Sequence, residues 1–157
     1  MNLEEHATKR LILAPAGIAV PRGTLCASAE EAEAAATLMG PVMVKAQAPT
    51  GKRGKAGGVR RAATPRDAAA AAKSILGMSI GRHRVTRVLV EAQANIRREL
   101  YAAITVDAAN RCPVVLFSTQ GGVEVEEAAA LDPRALKRAP VDGERGFALA
   151  DAQDLSA

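Results

Sequence analysis

Apolar residues recur at helical and strand spacings along the chain, and turn residues separate the segments. Near the N-terminus, Asn2 with Glu5 matches a capping box. The apolar stripe that follows it at helical spacing consists of Leu3, Ala7, Leu11 and Ile12. Ser28 and Glu31 match a second capping box, which opens a helix predicted to run to Met39. The pattern therefore predicts two short helices before residue 40.

A third predicted helix is rich in alanine and lies in the middle of the chain. Thr64 suits the N-cap and Pro65 suits the first helical position, so this helix is predicted to run to Leu76. Shorter helices are predicted near residues 132–133 and within residues 146–155.

Short apolar and β-branched runs predict the strands. These are residues 42–45, a short strand from Val59, and residues 85–90, 99–107 and 113–118. Residues 108–111 join the last two in the outline of a hairpin, and residues 81–84 are predicted to be a basic linker. Helices interspersed with strands indicate a mixed α and β fold.

Composition narrows the class of protein. The chain has 157 residues, 48% of them hydrophobic, but only three are aromatic, so small aliphatic side chains must build the core. No apolar run approaches the ~20 residues that span a bilayer, and the N-terminus lacks the residue order of a signal peptide. Cys26 and Cys112 do not make a disulfide framework, and the scattered histidines do not suggest zinc. We expect a cytoplasmic protein that does not associate with membranes.

Charge is unevenly distributed along the chain. Residues 45–98 contain 13 Lys or Arg and 2 Asp or Glu, a net charge of +11, whereas the remainder has a net charge of −7. A basic segment between acidic flanks indicates a site for an anion, such as the phosphate of a nucleotide or of a nucleic acid.

The basic segment contains a glycine-rich loop directly after a predicted buried strand, within residues 45–58. Glycines let backbone N–H groups converge on an anion, and Lys45 at the strand end is well placed to hold phosphate oxygens. The loop lacks the Gly-Lys-Ser/Thr of a Walker A motif. On composition alone, a solvated basic loop without a ligand is as good an interpretation as an anion-binding loop.

A nucleic-acid site is a further alternative for this loop. Residues 51–54 have the GXXG form with which KH domains clamp a nucleic-acid backbone. However, a KH loop joins two helices, whereas this loop follows a strand. All three aromatic residues, on which bases could stack, lie outside the basic segment.

Two glutamates stand at the edge of the basic segment. Glu91 follows an apolar strand and Glu99 precedes the next one. A carboxylate beside a phosphate site can accept hydrogen bonds from ribose hydroxyls or from an exocyclic amine. Spacing alone favours the alternative, a pair of surface glutamates at strand ends.

Five sequence blocks, in this order, resemble the beta subunit of ADP-forming succinyl-CoA synthetase and of malate–CoA ligase. The blocks are Asn2-Leu3-x-Glu5, residues 44–47, residues 51–59 (Gly-x-Arg-Gly-Lys-Ala-Gly-Gly-Val), residues 90–101 and residues 118–126. In order along the chain they span residues 1 to about 127, roughly four fifths of its length.

The resemblance implies an α+β ATP-grasp fold, with an N-terminal lobe and part of a second lobe. Residues 20–92 are expected to form the nucleotide-gripping lobe, and residues 1–19 and 93–157 are expected to belong to the second. The resemblance also implies site residues. Lys45 would bind the phosphates of ATP, and Lys52, Arg53 and Gly54 would form the loop that closes on the nucleotide. Glu91 and Ala94 would lie near the base, and Glu99 would hold the ribose.

The implied function is the nucleotide-binding part of a ligase of the tricarboxylic acid cycle. In such enzymes ATP phosphorylates a histidine of the alpha subunit, and a carboxylate becomes a CoA thioester. The expected partners are an alpha-type subunit or the remainder of the beta chain, with no nucleic acid. The cofactor would be Mg-ATP, with the Mg²⁺ ligands outside this chain. No catalytic residue and no metal ligand is assigned. Because the resemblance includes neither the metal ligands nor the CoA-ligase domain, activity is not expected of the chain alone.

One departure from the family pattern lies in the loop itself. Position 52 is usually glycine in the family, and here it is lysine, whose side chain would either crowd or strengthen phosphate binding. Two other functions are kept as hypotheses: a degenerate ATP-grasp scaffold that only assembles with a partner, and a basic module that binds nucleic acid.

Overall fold

The computed structural model describes residues 3–121 and 135–157. The chain divides into two compact units, Met1–Asn95 and Ile96–Ala157. The predicted cap residue Asn2 and the helix predicted near residues 132–133 lie outside the described residues.

The first unit is built on a four-stranded antiparallel sheet. Its strands are β1 (Gly23–Cys26), β2 (Val42–Ala46), β3 (Val59–Ala62) and β6 (Val88–Ala92), in the spatial order β1-β6-β2-β3. Strands β2 and β6 are therefore the two central strands, and they lie next to each other. Two short strands, β4 (Ser79–Ile80) and β5 (His83–Arg84), form a separate hairpin.

Two alanine-rich helices, α2 (Ala29–Met39) and α3 (Pro65–Ile75), cover one face of this sheet. Both predicted N-caps are confirmed, because the side chain of Ser28 accepts from the amide of Glu31 and that of Thr64 accepts from the amide of Asp67. Alternate strand residues such as Val44 and Val90 are fully buried in the core with the helices.

The other face of the sheet carries polar side chains. Residues next to the buried valines, Lys45 on β2 and Glu91 on β6, point to this side, because side chains alternate along a strand. An N-terminal segment lies over it. The segment consists of α1 (Glu5–Thr8) and a π-helical turn (Lys9–Leu13), and it contains no buried residue.

The second unit contains a three-stranded antiparallel sheet and one described helix. The strands are β7 (Tyr101–Asp107), β8 (Cys112–Ser118) and β9 (Lys137–Pro140), and the helix is α4 (Leu149–Ser156). The hairpin predicted around residues 108–111 is confirmed by the pairing of Asp107 with Cys112. The predicted C-terminal helix is confirmed as α4.

Two local predictions are corrected. Residues 81–84 are not a plain linker, because His83 pairs with Ile80 across a tight turn. The strand predicted from residue 85 begins only at Val88, since the Val85 amide instead donates to the Met78 carbonyl. None of the helices in the described residues has the length and apolar character that crossing a bilayer requires.

Candidate anion-binding site

Lys45 and Glu91 form the centre of a charged cluster on the polar face of the first sheet. Lys45 pairs with Leu89 in the strand register, so Glu91 lies diagonally across from it on β6. The ammonium Nζ of Lys45 donates to Glu91 Oε1 at 2.5 Å. Glu91 is only 4% exposed, which corrects the expectation of a surface glutamate at a strand end.

The N-terminal segment adds a carboxylate and an ammonium to this pair. Glu5 Oε1 accepts from Lys9 Nζ at 2.7 Å and from Lys45 Nζ at 3.1 Å. Lys9 Nζ also donates to the second carboxylate oxygen of Glu91. The segment is fixed by the His6 amide, which donates to the buried Gln47 Oε1 at 2.9 Å.

The glycine-rich loop brings a guanidinium into the same cluster. Arg53 donates from Nη1 to the Ala46 carbonyl at 2.9 Å, which ties the loop to the end of β2. Its Nη2 pairs with Glu5 Oε2 at 2.9 Å. Lys9, Lys45 and Arg53 therefore all bind the carboxylate of Glu5.

The pKa values follow this charge arrangement. Burial alone would raise the pKa of Glu5, but the hydrogen bond from Lys9 and the charges of Lys45, Lys9 and Arg53 lower it to about 2. Burial tends to lower the pKa of Lys45, but its hydrogen bond to Glu91 and the nearby carboxylates raise it above its usual value. Both groups are charged throughout the physiological pH range.

The loop also presents backbone donors. Its far end is closed by bonds from the Gly57 amide to the Gly54 carbonyl and from the Gly58 amide to the Arg53 carbonyl. Within the part of the chain that the structure describes, the amides of residues 51–54 have no protein acceptor. Consecutive free amides beside a cation are the donor set that binds phosphate oxygens.

Lys52 has a left-handed backbone conformation, with φ of +60°. L-residues other than glycine and asparagine rarely adopt this region, because Cβ crowds the following carbonyl. Its side chain is exposed. The backbone thus keeps the conformation that glycine favours, while lysine adds a charge at the rim of the loop.

The predicted site residues fall into three groups. The structure brings Lys45, Arg53 and Glu91 together in the cluster. Lys52 and Gly54 lie exposed in the adjoining loop, and Ala94 follows β6 along a different cavity, lined also by Met39, Pro41, Arg61, Ala92, Gln93 and Asn95. Glu99 belongs to the second unit, where its carbonyl accepts from the Gly121 amide at 3.1 Å.

Two members of the cluster, Glu5 and Lys9, were not predicted as site residues from the sequence, and neither was Gln47, which accepts from the N-terminal segment. The spacing of Glu5 and Lys9 is an i, i+4 ion pair, which indicates a helix surface. This spacing says nothing about strands more than 30 residues away in the sequence. The contacts of Glu5 and Lys9 with Lys45 and Glu91 could therefore not be predicted from the local pattern.

Lys9 lines two cavities beside the cluster. One has a volume of about 360 Å³ and is lined by residues that include His6, Arg22, Leu89 and Glu91. The other has a volume of about 250 Å³ and reaches Arg53. Across residues 3–121 and 135–157, no three His, Cys, Asp or Glu side chains come close enough together to hold a metal ion.

Comparison with known protein families shows which family this chain belongs to. A family described as the ATP-grasp domain matches residues 2–157. The chain belongs to this ATP-grasp family. The predicted mixed α and β ATP-grasp fold is therefore confirmed, and so is the suspected resemblance to succinyl-CoA synthetase beta subunits. The lobe boundaries at residues 20 and 92 stay a prediction.

The relatives in this ATP-grasp family include beta subunits of ADP-forming succinate–CoA ligases. The chain is 48% identical over 143 residues to that of Rubrobacter xylanophilus, covering 90% of this chain and 37% of the relative. It is 52% identical over 139 residues to subunit beta 1 of Archaeoglobus fulgidus, covering 88% of this chain and 36% of that relative. The chain thus spans little more than a third of the length of these relatives.

Solved structures support the same ATP-grasp fold. An acetyl-coenzyme A synthetase 1 of Candidatus Korarchaeum cryptofilum, in complex with coenzyme A and Ca-AMPCP, superimposes with a TM-score of 0.74 at 24% identity, covering 98% of this chain and 64% of that one. An ATP citrate lyase of Methanothrix soehngenii gives a TM-score of 0.57 at 22% identity, covering 80% and 29%.

Proposed function

We propose that this chain is the nucleotide-binding part of an ADP-forming carboxylate–CoA ligase, and that Lys45 and Arg53 bind the phosphates of ATP. The observation that carries the proposal is their convergence on a single carboxylate, with distances of 3.1 Å from Lys45 and 2.9 Å from Arg53 to Glu5. Cations that bind carboxylate oxygens in this way also suit phosphate oxygens.

The donor set fits an oligophosphate better than a single anion. Besides Lys45 and Arg53, the amides of residues 51–54 supply backbone donors along the loop, and Lys52 supplies an exposed charge. Glu91 pairs directly with Lys45, so we assign it the further role of orienting that lysine. The roles of Ala94 at the base and Glu99 at the ribose follow from the resemblance.

The rest of the reaction would require other parts of a complete enzyme. The named relatives are succinate–CoA ligase beta subunits and are much longer than this chain. We propose that ATP bound here transfers its terminal phosphoryl group to a histidine of an alpha-type subunit in the cytoplasm and leaves as ADP. The phosphoryl group would then pass to a carboxylate, and the CoA thiol would displace phosphate from this acyl phosphate to give the thioester. The Mg²⁺ that accompanies ATP would be held by residues outside this chain.

A scaffold without nucleotide binding is the second candidate. It is favoured by the internal pairing of Lys9, Lys45 and Arg53 with Glu5 and Glu91. In such a scaffold these ion pairs would serve only to attach the N-terminal segment to the sheet.

Calorimetric titration of the full chain with Mg-ATP, alone and with an alpha-type subunit, separates the two candidates. We expect Lys45→Ala to weaken binding by about tenfold to a hundredfold, the loss of one charged hydrogen bond. Lys73→Ala is the matched control, because Lys73 is an exposed lysine of α3 outside the cluster. A folded chain that binds no nucleotide but forms a defined complex on size exclusion would favour the scaffold.

A further inference from the structure

We propose that the Glu5 carboxylate is an internal competitor for the anion site, which an incoming oligophosphate must displace from Lys45 and Arg53. This inference rests on the proposed nucleotide-binding function. It adds a residue of the N-terminal segment that sets the affinity of the site without being one of its phosphate-binding groups.

The contacts of Glu5 are those of a bound anion. Its Oε1 accepts from Lys45 at 3.1 Å and from Lys9 at 2.7 Å, while its Oε2 pairs with Arg53 at 2.9 Å. Both carboxylate oxygens are therefore used by cations, as the oxygens of a phosphate group would be. A phosphate that binds Lys45 and Arg53 needs the same donors.

The second carboxylate of the cluster differs from Glu5 in its attachment. Glu91 is part of the central strand β6, which is hydrogen-bonded to β1 and β2, so its backbone cannot withdraw without breaking the sheet. Glu5 stands on a segment that contains no buried residue. Of the two carboxylates, only Glu5 can leave while the fold stays intact.

Polar contacts hold the N-terminal segment near the cluster. The His6 amide donates to Gln47 Oε1 at 2.9 Å, Glu4 pairs with the half-exposed Arg87 at 2.8 Å, and Lys9 pairs with Glu91. The Glu4–Arg87 and Lys9–Glu91 pairs do not involve Glu5, although Lys9 also pairs with Glu5. The segment can thus release Lys45 and Arg53 while Lys9 remains paired with Glu91.

Competition predicts a gain of affinity when the competitor is neutralised. In the full chain, we expect Glu5→Gln to bind Mg-ATP and inorganic tripolyphosphate about fivefold to tenfold more tightly than the wild type, since one close ion pair per cation no longer has to be broken. Glu33→Gln removes the same charge from the exposed surface of α2, outside the cluster and the N-terminal segment, so its affinity should match the wild type.

The outcomes separate this inference from the function on which it rests. If neither the wild type nor Glu5→Gln binds either ligand, the proposed nucleotide-binding function is wrong, and the competition is overturned with it. If the wild type binds and Glu5→Gln binds equally or less tightly, Glu5 positions Lys45 and Arg53 rather than competing, and only the present inference is overturned. Thermal unfolding of each variant confirms that it is folded.

Amide hydrogen exchange tests the displacement without any variant. In the wild type, saturation with tripolyphosphate should speed exchange in residues 4–13, and at the His6 amide in particular, because release of Glu5 loosens the segment. Exchange of β2 and β6 in the same sample serves as the internal control and should not accelerate. Unchanged or slower exchange at His6 on ligand binding would contradict the displacement.

Discussion

Gly58 lies so close to Ile80 that a Cβ atom at position 58 would stand 2.8 Å from Ile80 Cδ1. The same atom would stand 3.0 Å from Ala46 Cβ and 3.1 Å from the Arg53 carbonyl oxygen. The end of the glycine-rich loop is therefore packed between the hairpin of β4 and β5 and the end of β2. Through Gly58, the position of Arg53 depends on the hydrophobic core.

We expect Gly58→Ala to destabilise the first unit by about 1–3 kcal/mol, because the added methyl group must displace packed atoms. Denaturant unfolding measures this loss. Gly54→Ala is the matched control, since a Cβ at that exposed position meets nothing within 4 Å. Equal stability of the two variants would contradict the close packing at Gly58.

Lys52 tests the left-handed backbone of the loop. Its φ of +60° is unfavourable for a β-branched residue and easy for glycine. We expect Lys52→Val to lower the free energy of unfolding by about 1–2 kcal/mol, whereas Lys52→Gly should change it by less than about 1 kcal/mol. Denaturant unfolding of both variants checks the difference. A valine variant as stable as the glycine variant would show that the loop does not require this conformation.

Acid should weaken the attachment of the N-terminal segment. The pKa of Glu5 falls from 4.5 to about 2 on folding. A lowered folded-state pKa contributes stability that is present above the unfolded value and lost as pH falls. We therefore expect Glu5 to contribute at most about 3 kcal/mol, lost between about pH 4.5 and pH 2.

Unfolding free energies measured across this pH range check the contribution of Glu5. The Glu5→Gln variant should show a shallower loss of stability than the wild type, because glutamine does not titrate. Glu4→Gln should keep the steep loss. Identical pH profiles for the wild type and Glu5→Gln would contradict the low pKa of Glu5.

The two cysteines should differ in reactivity. Cys26 is 1% exposed, and burial, together with the nearby Glu31, raises the pKa of its thiol to about 11. Cys112 is partly exposed at the start of β8. We expect an alkylating reagent to modify Cys112 in the native protein and Cys26 only after denaturation, as peptide mass spectrometry will show. Rapid native modification of Cys26 would contradict the packing of β1.

Local signals made the fold largely predictable from the sequence. The capping side chains of Ser28 and Thr64 act within three residues, so the starts of α2 and α3 could be predicted from neighbouring residues alone. The hairpin of β7 and β8 is likewise formed by adjacent segments. In contrast, β4 and β5 are only two residues long each, too short for an alternating pattern to identify them.

The site was predictable only in part, because its residues come from distant segments. The loop with Arg53 and the strand that ends near Lys45 are adjacent in sequence and could be associated with an anion. Glu5 lies 40 residues from Lys45 and 86 from Glu91, and nothing in the local pattern of either region indicates their proximity. Burial of Glu91 also depends on strand order, since β6 becomes central only through pairing with both β1 and β2.

The contact layer between the first sheet and its helices has a consequence for how the protein tolerates sequence change. Ala32, Ala36, Ala68 and Ala72 are fully buried where α2 and α3 pack against each other and the sheet. The side chain of alanine is a single methyl group, so its removal leaves hardly any void. Any larger side chain forces the helices apart. Sequence change in this layer is therefore limited mainly by volume: larger side chains do not fit, whereas glycine leaves little void but lowers helix stability by about 0.5–1 kcal/mol.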